Sequence, residues 1–492
     1  MTVTAVPLSS GTLAQLGGAG LAVPSYDRSR ITVGIVHFGV GGFHRAHQAM
    51  YLDTLMNQGL AHDWGVCGVG LLEADRRMGE VMSKQDGLYT LVTKAADGSC
   101  SARVIGSIID YLFAPDAPAE VLDVLTGPGI RVVTLTVTEA GYNAHRVTGR
   151  FDPDGPGIAE DLASPDAPRT VFGFLVEALA RRRADGIAPF TVVSCDNVQG
   201  NGAVIRDALV SFARLRDADL AEWIARHVAF PNTMVDRITP ATTDADLATV
   251  REQFGVADDW PVSCEPFTQW VIEDRFGSGR PPLERAGVQM VGDVGPYELM
   301  KLRLLNAGHQ ALGYAGCLAG YTYVHQAIDD PAFVLFLRRY WRDEAIPSLH
   351  AVPGIDLGDY VDELVTRFGN PHIRDTLPRL CVDGSERIPK FLLPVLRFNI
   401  ARLGPIERCA TILACWARYC EGTDEHGTPI DVLDPVSAGL RARALRRNDD
   451  PLSFVRNPDI FGDLAADERF AVAYRRALES VLTDGALATI AR

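Results

Sequence analysis

Lys301, Asn306 and His309 punctuate a segment that is otherwise largely apolar as far as Val324, and from Leu304 to Ile328 there is no Asp, Glu, Lys or Arg. At about 100° per residue on a helix these three side chains fall at roughly 0°, 140° and 80°, so they share one broad face. A lysine that shares a poorly solvated pocket with an amide and an imidazole is a candidate base, because desolvation disfavours its ammonium form. The spacing alone is equally compatible with a helix that carries these residues at an exposed end or in satisfied core hydrogen bonds.

A second pattern stands near the start of the chain. Gly39-Val40-Gly41-Gly42-Phe43-His44 follows the β-branched run Ile31–Phe38 and precedes a helical pattern from about His44 to Asn57. A glycine turn between a strand and a helix is where a dinucleotide pyrophosphate is held. The first two glycines of Gly-x-Gly-x-x-Gly are Gly39 and Gly41; the third position is His44. Beyond the next strand come Glu73 and Asp75. A carboxylate there can accept from both adenosine ribose hydroxyls and repel a 2′-phosphate, or can simply favour a helix N-terminus. Asn197 lies just past the strand-like run Phe190–Cys195, at the edge where open α/β sheets bind ligands, although an Asx turn would use the same residue. Asp236 and Arg237 read either as site residues or as a local ion pair.

The elements that must position these residues fall into two sets. Strand-like runs at Ile31–Phe38, Trp64–Leu71, Tyr89–Thr93, Arg103–Ile109, Ile130–Thr138 and Phe190–Cys195 alternate with helical patterns at Glu73–Ser83, Ala117–Thr126 and Arg169–Arg183. That alternation predicts an α/β, doubly wound, mainly parallel sheet. Ala203–Phe230 and Asp244–Phe254 read as further helices, and Val288–Val291 as a last strand. After Gly292–Gly295 the pattern is helical throughout: Tyr297–Gly320, Pro331–Trp341, Gly358–Phe368, Pro389–Leu403, Pro405–Tyr419, Pro435–Leu445 and Asp467–Leu482. Pro389, Pro405 and Pro435 suit first helical turns, with Asp434 as an N-cap. The expected organisation is a nucleotide-binding domain over 1–294 and a predominantly α-helical substrate and catalytic domain over 295–492.

Composition sets the outer limits. A chain of 492 residues is too long for one ordinary core. A formal net charge of −15 disfavours nucleic acid and anionic membranes as partners. The basic run Arg181-Arg182-Arg183 is expected to complement a helix C-terminus. Nine scattered cysteines without a Cys-x-x-Cys predict reduced, buried thiols and a cytoplasmic protein. Met1–Pro24 lacks the marks of a secretory signal. The charge-free run Leu304–Ile328 carries too many polar groups for lipid and is expected to be a buried helix. No compact Cys/His/Glu set suggests a metal, and His44 and His47 read as helix-start residues.

Four segments together carry a family resemblance: Gly39–His47, Ser194-Cys195-Asp196-Asn197, Met234-Val235-Asp236-Arg237-Ile238-Thr239-Pro240, and Lys301 with Asn306 and His309. In this order, from about Leu16 to Leu482, the chain resembles the polyol-specific long-chain dehydrogenases, most of all their mannitol-type members. The resemblance implies a Rossmann-type domain followed by a helical one, NAD as cofactor, a small polyol or ketose as substrate, no zinc, and in many members a monomer. Mannitol-type members interconvert D-mannitol and D-fructose; arabinitol, sorbitol and fructuronate types are the alternatives, and an idle NAD-binding sensor is a different class.

It further implies Lys301 as general base and Asn197 and Asn306 as the two amides on the reacting oxygen. His309 would orient the substrate, Asp236 and Arg379 would contact the sugar chain, and Arg387 stands where related mannitol enzymes often carry lysine. Glu298 would pass protons to bulk water. Gly39, Gly41, Gly42 and Phe43 would hold the cofactor, and Asp75 would favour NAD over NADP. A neutral Lys301 requires its ammonium pKa to fall from about 10.4 towards roughly 7–9.

Overall fold

The computed structural model describes residues 5–143 and 151–492; the first four residues of the segment read as no secretory signal lie outside that description. The chain divides into two compact units, Met1–Val294 and Gly295–Arg492.

The first unit is built on a five-stranded parallel sheet of β1 (Val33–Phe38), β2 (Gly65–Gly70), β3 (Ile108–Phe113), β4 (Val132–Leu135) and β5 (Thr191–Ser194). Their spatial order is β3-β2-β1-β4-β5. Alternate residues of each strand feed two separate cores, as a sheet covered on both faces requires. Val36, Phe38, Cys67, Val69, Val133, Leu135 and Val192 pack with the helices Pro118–Thr126, Val171–Ala184 and Asn201–Arg216. Ile35, Val66, Val132 and Val193 pack on the opposite face with Ala49, Leu52 and Leu55 of the helix Gln48–Asn57.

Several elements differ from the sequence reading. The run Arg103–Ile109 is the junction of two strands: Cys100–Ile105 pairs antiparallel with Tyr89–Lys94 in a separate small sheet, and β3 begins only at Ile108. Tyr89–Lys94 therefore stands outside the main sheet. The helix expected over Ala203–Phe230 is two helices, Asn201–Arg216 and Ala218–His227, because the Asp217 side chain caps the second through the N–H groups of Asp219 and Leu220. A further small sheet joins Thr233–Asp236, Gln269–Glu273 and Gln289–Val291. Of these three strands the sequence reading expected only the last.

Arg182 is not a surface complement to a helix end. It is 1% exposed and donates to the carbonyls of Leu125, Gly127, Ile130 and Ala188. Burial pulls its guanidinium down to about 10. One buried side chain thus closes the turn ahead of β4, a position where carbonyls would otherwise lack partners.

The second unit is helical, with only isolated bridges between extended residues among those described. The segment expected as one helix over Tyr297–Gly320 has three parts: an α-helix at Gly295–Met300, a π-helical turn at Lys301–Asn306 and an α-helix at Ala307–Leu318. A second π turn, Tyr340–Ala345, continues the helix Pro331–Arg339. Pro389 lies inside the helix Gly384–Phe391 instead of opening one. Asp434 caps less than expected: it accepts from Val436 N–H but also takes both the N–H and the hydroxyl of Ser385, tying two helices' starts together. No helix among the described residues is long and apolar enough to cross a membrane.

Candidate active site

At the end of β1 the chain turns at Gly39, with φ +90°. A Cβ there would stand 2.2 Å from the Thr136 carbonyl oxygen, just past β4, so only glycine fits. The strand order reverses between β1 and β4, the place where open α/β sheets bind ligands. Gly41 differs from Gly39. It is exposed, its φ is −95°, and a Cβ would meet nothing nearer than the Gly39 carbonyl oxygen at 3.9 Å. The protein's own packing leaves that space unused, which fits a glycine kept bare for the approach of a pyrophosphate.

The helix after the turn is only Gly42–Ala46; His47, at φ −124° and ψ −90°, separates it from Gln48–Asn57. The continuous helix expected from His44 is thus broken. Five residues align few peptide dipoles, and what the turn offers an anion is the unpaired N–H groups of a first helical turn. His44 stands in the first turn of this short helix, as expected, but its side chain belongs to the core. It is buried and stacks on His37 at 3.4 Å between ring centroids. His37 is held by Thr134 at 2.7 Å and Thr136 at 2.9 Å. Burial pushes His37 down to about 3 and His44 well below the ordinary imidazole value, so both rings are neutral. His47 reaches the Gln269 carbonyl at 2.8 Å, and Phe43, half-buried, stacks on the His47 ring. The sequence marked these residues by their glycine neighbours but gave no sign that the imidazoles are core.

Asp75 closes the turn after β2. Its Oδ2 accepts from the N–H groups of Leu71 at 3.0 Å and Leu72 at 2.9 Å. The carboxylate proposed to read a ribose therefore has a second duty in its own backbone. Glu73 is exposed and held by Arg76, which also pairs with Asp116.

Asn197 is exposed and follows β5 by three residues. Its backbone is fixed by Asp196, which accepts from Thr138 N–H at 2.8 Å and the Tyr142 hydroxyl at 2.7 Å, and by Asn201, which donates to the Asp196 carbonyl at 3.1 Å. Thr138, a β-branched residue at φ +63°, is in the left-handed region, a strain often found beside functional sites. Asp236 is buried at the end of its strand. Arg237 spends its guanidinium on the carbonyls of Glu265, at 3.0 Å, and Ala46, at 2.6 Å.

In the second unit the π turn changes the geometry read from the sequence. Lys301 and Asn306 are its first and last residues. In an i→i+5 turn, residues five apart stack much as residues four apart do in an α-helix. The two side chains are therefore closer to one line than an ideal α-helix would place them. Lys301 is 8% exposed and Asn306 7%. The amide nitrogen Nδ2 of Asn306 and the Nε2 of His309 are buried and lack a hydrogen-bond partner. His309 packs on Phe368, ring centroids 4.6 Å apart. Burial, then the positive charges of Arg379, Arg367, Arg387 and Lys301, hold its imidazole well below the ordinary value. The ring is neutral and surrounded by cations, a setting suited to an oxygen-rich ligand.

Arg379 forms a two-bond fork with Asp375, at 2.6 Å through Nε. Arg387 is half-buried in Gly384–Phe391. Glu298 lies three residues before Lys301, half-buried. Arg367 and Phe368 were not singled out from the sequence; an amphipathic helix ending in them gives no hint that its last turn faces an imidazole. Among the described residues no group of three or more His, Cys, Asp or Glu side chains is arranged to hold a metal ion.

Residues 33–285 match the mannitol dehydrogenase Rossmann domain and residues 293–482 the mannitol dehydrogenase C-terminal domain. A mannitol 2-dehydrogenase of Phaeosphaeria nodorum is 47% identical over 489 residues, covering 99% of this chain and 85% of the relative. One from Aspergillus fumigatus is 46% identical, covering 98% of each. Among solved structures, the Pseudomonas fluorescens mannitol 2-dehydrogenase in ternary complex with NAD and D-mannitol superposes with a TM-score of 0.90 at 45% identity, covering 99% of both chains. A D-sorbitol dehydrogenase in substrate-free form gives a TM-score of 0.90 at 39% identity, covering 98% of this chain and 100% of that one. With both domain families matched in order and such relatives over its full length, the chain belongs to the mannitol dehydrogenase family.

Proposed function

We propose that this protein oxidises a polyol secondary alcohol to a ketose with NAD and without zinc, with D-mannitol and D-fructose as the pair, and also runs the reverse reaction. One observation carries the reading. A buried lysine stands on the same wide turn as a buried amide whose nitrogen has no partner, with a neutral imidazole nitrogen, also unpartnered, one turn on. Buried polar atoms are almost always hydrogen-bonded, so a pair left open beside a potential base fits a hydroxylated ligand.

Oxidation removes a hydride from carbon and a proton from oxygen. NAD, when bound, accepts the hydride. Gly39, Gly41, Gly42 and Phe43 would hold it at the turn after β1, and Asp75 would meet its ribose. Lys301, uncharged, takes the hydroxyl proton; Glu298 passes it to solvent. Asn306 donates its open Nδ2–H to the reacting oxygen and Asn197 supplies the second amide. Such donors are worth about 3–4 kcal/mol each where charge develops on an oxygen. His309 donates or accepts at the substrate as a neutral ring, and Asp236, Arg379 and Arg387 bind the remaining hydroxyls.

A panel of D-mannitol, D-sorbitol, D-arabinitol and their ketoses, assayed with NAD and NADP, tests the assignment; D-mannitol with NAD should give the highest kcat/KM. A sorbitol preference would favour the second reading, which the full-length likeness to a D-sorbitol dehydrogenase supports. Dialysis against a strong chelator should leave turnover intact. Loss of activity that zinc restores would overturn the metal-free mechanism.

A further inference from the structure

The π turn that carries Lys301 and Asn306 is clasped by the second π turn of the same unit. The Tyr340 hydroxyl donates to the Arg303 carbonyl at 3.0 Å, and the Trp341 Nε1–H donates to the Leu304 carbonyl at 2.9 Å. These are consecutive carbonyls in the middle of the first π turn. Tyr340 and Trp341 are both fully buried. The indole also lies against the backbone just beyond Asn306: a Cβ on Gly308 would stand 3.3 Å from Trp341 Cζ2. The second π turn is itself anchored. The Glu344 carboxylate accepts from the N–H groups of Arg408 at 2.6 Å and Cys409 at 2.9 Å, in the first turn of the helix Glu407–Tyr419, and Asn399 donates to the Glu344 carbonyl at 2.9 Å.

A π turn is an uncommon insertion in a helix, and it persists when its surroundings hold it. We infer that Tyr340 and Trp341 are positioning residues that hold the Lys301–Asn306 turn in its wide form and so keep the base and the amide on one face. The inference rests on the reading of Lys301 as base. Without the two donors the turn relaxes towards α-helical spacing. That rotates Lys301 away from Asn306 and lets its amine gain water. The charged groups acting on His309 are Lys301 itself, Arg367, Arg379 and Arg387, and the titratable or charged groups acting on Tyr340 are Cys409, Glu344 and Arg303. Tyr340→Phe and Trp341→Phe leave all of these groups in place, and of them only Lys301 is removed, in the two Lys301→Ala proteins.

The test compares wild type, Tyr340→Phe, Trp341→Phe, Lys301→Ala and Lys301→Ala/Tyr340→Phe in polyol oxidation across pH, with NAD affinity measured by titration. Tyr340→Phe and Trp341→Phe should each lower kcat about ten- to hundredfold, the scale of a small misplacement, with NAD affinity unchanged. The pH midpoint for oxidation should move upward, since a hydrated lysine surrenders its proton only at higher pH. The Tyr340→Phe penalty should shrink once Lys301 is already alanine. Wild-type kcat in both single variants overturns the inference, as does a lower kcat with an unmoved pH midpoint and a full penalty in the Lys301→Ala background. If Trp341→Phe yields no folded protein, Tyr340→Phe, which removes one oxygen atom, decides alone. Near-wild-type turnover in Lys301→Ala would instead remove the base reading itself, and this inference with it.

Discussion

Lys301 and Asp75 show how differently two side chains can be exposed to test. Lys301→Ala removes the proposed base from a buried position, and turnover should drop at least about a hundredfold while NAD still binds. Added primary amines should restore part of it. Asp75 has two roles to lose. Asp75→Ala should raise the NADP/NAD ratio of kcat/KM, because a negative charge near the ribose is gone. It should also lower stability by about 0.5–2 kcal/mol, the scale of a lost cap, because the Leu71 and Leu72 N–H groups lose their acceptor. A changed ratio with an unchanged melting temperature would deny the cap; the converse would deny the ribose contact. His309 makes a negative prediction. Burial and the guanidinium groups of Arg379, Arg367 and Arg387 keep the ring neutral, so no step near pH 6.5 in the rate profile should vanish in His309→Asn.

At the scale of elements, Asp246 ties the helix Asp244–Phe254 to its surroundings. Its carboxylate accepts from Lys94 Nζ, Ser263 Oγ and Thr243 Oγ1, each at 2.6 Å. Burial pushes this carboxyl up, but those bonds outweigh it and hold it below its usual value of 3.8. A depressed folded-state value gives stability that is complete above the unfolded value and is lost as pH falls through the folded one. Asp246→Asn should therefore cost about 1.5–3 kcal/mol near neutral pH and flatten the loss of stability below about pH 4; acid titration of the melting temperature checks both. This network pairs residues up to 152 positions apart, so no local pattern announced it. The same reason explains what else the sequence hid. The residue types at Lys301, Asn306 and His309 and the glycines after β1 were visible in the chain because chemistry demands those types at short spacing. The π turn was not, because its hydrophobic pattern is that of an ordinary helix and its cause sits at Tyr340 and Trp341, over thirty residues away. The strands Thr233–Asp236 and Val262–Cys264 show no sustained alternation of their own, and within Arg103–Ile109 two strands are parted only by Gly106 and Ser107.

For the molecule as a whole, the parallel sheet and the helical second half followed from alternating and continuous apolar patterns, which depend on many residues at once. The nine cysteines are all free; Cys100 is half-buried and the other eight are buried. Cys67, Cys195 and Cys264 lie in the first unit, and Cys317, Cys381, Cys409, Cys415 and Cys420 in the second. Burial raises the thiols of Cys67, Cys195 and Cys420, among others, and withholds the thiolate that alkylating reagents attack. The chain therefore carries its own clock for unfolding. Under a maleimide pulse followed by mass spectrometry, Cys100 should label first and the others only as their surroundings open. Whether the three buried thiols of one unit and the five of the other are struck in the same molecules tells whether the halves melt as a single cooperative body or one after the other, and adding NAD should slow only the strokes it protects.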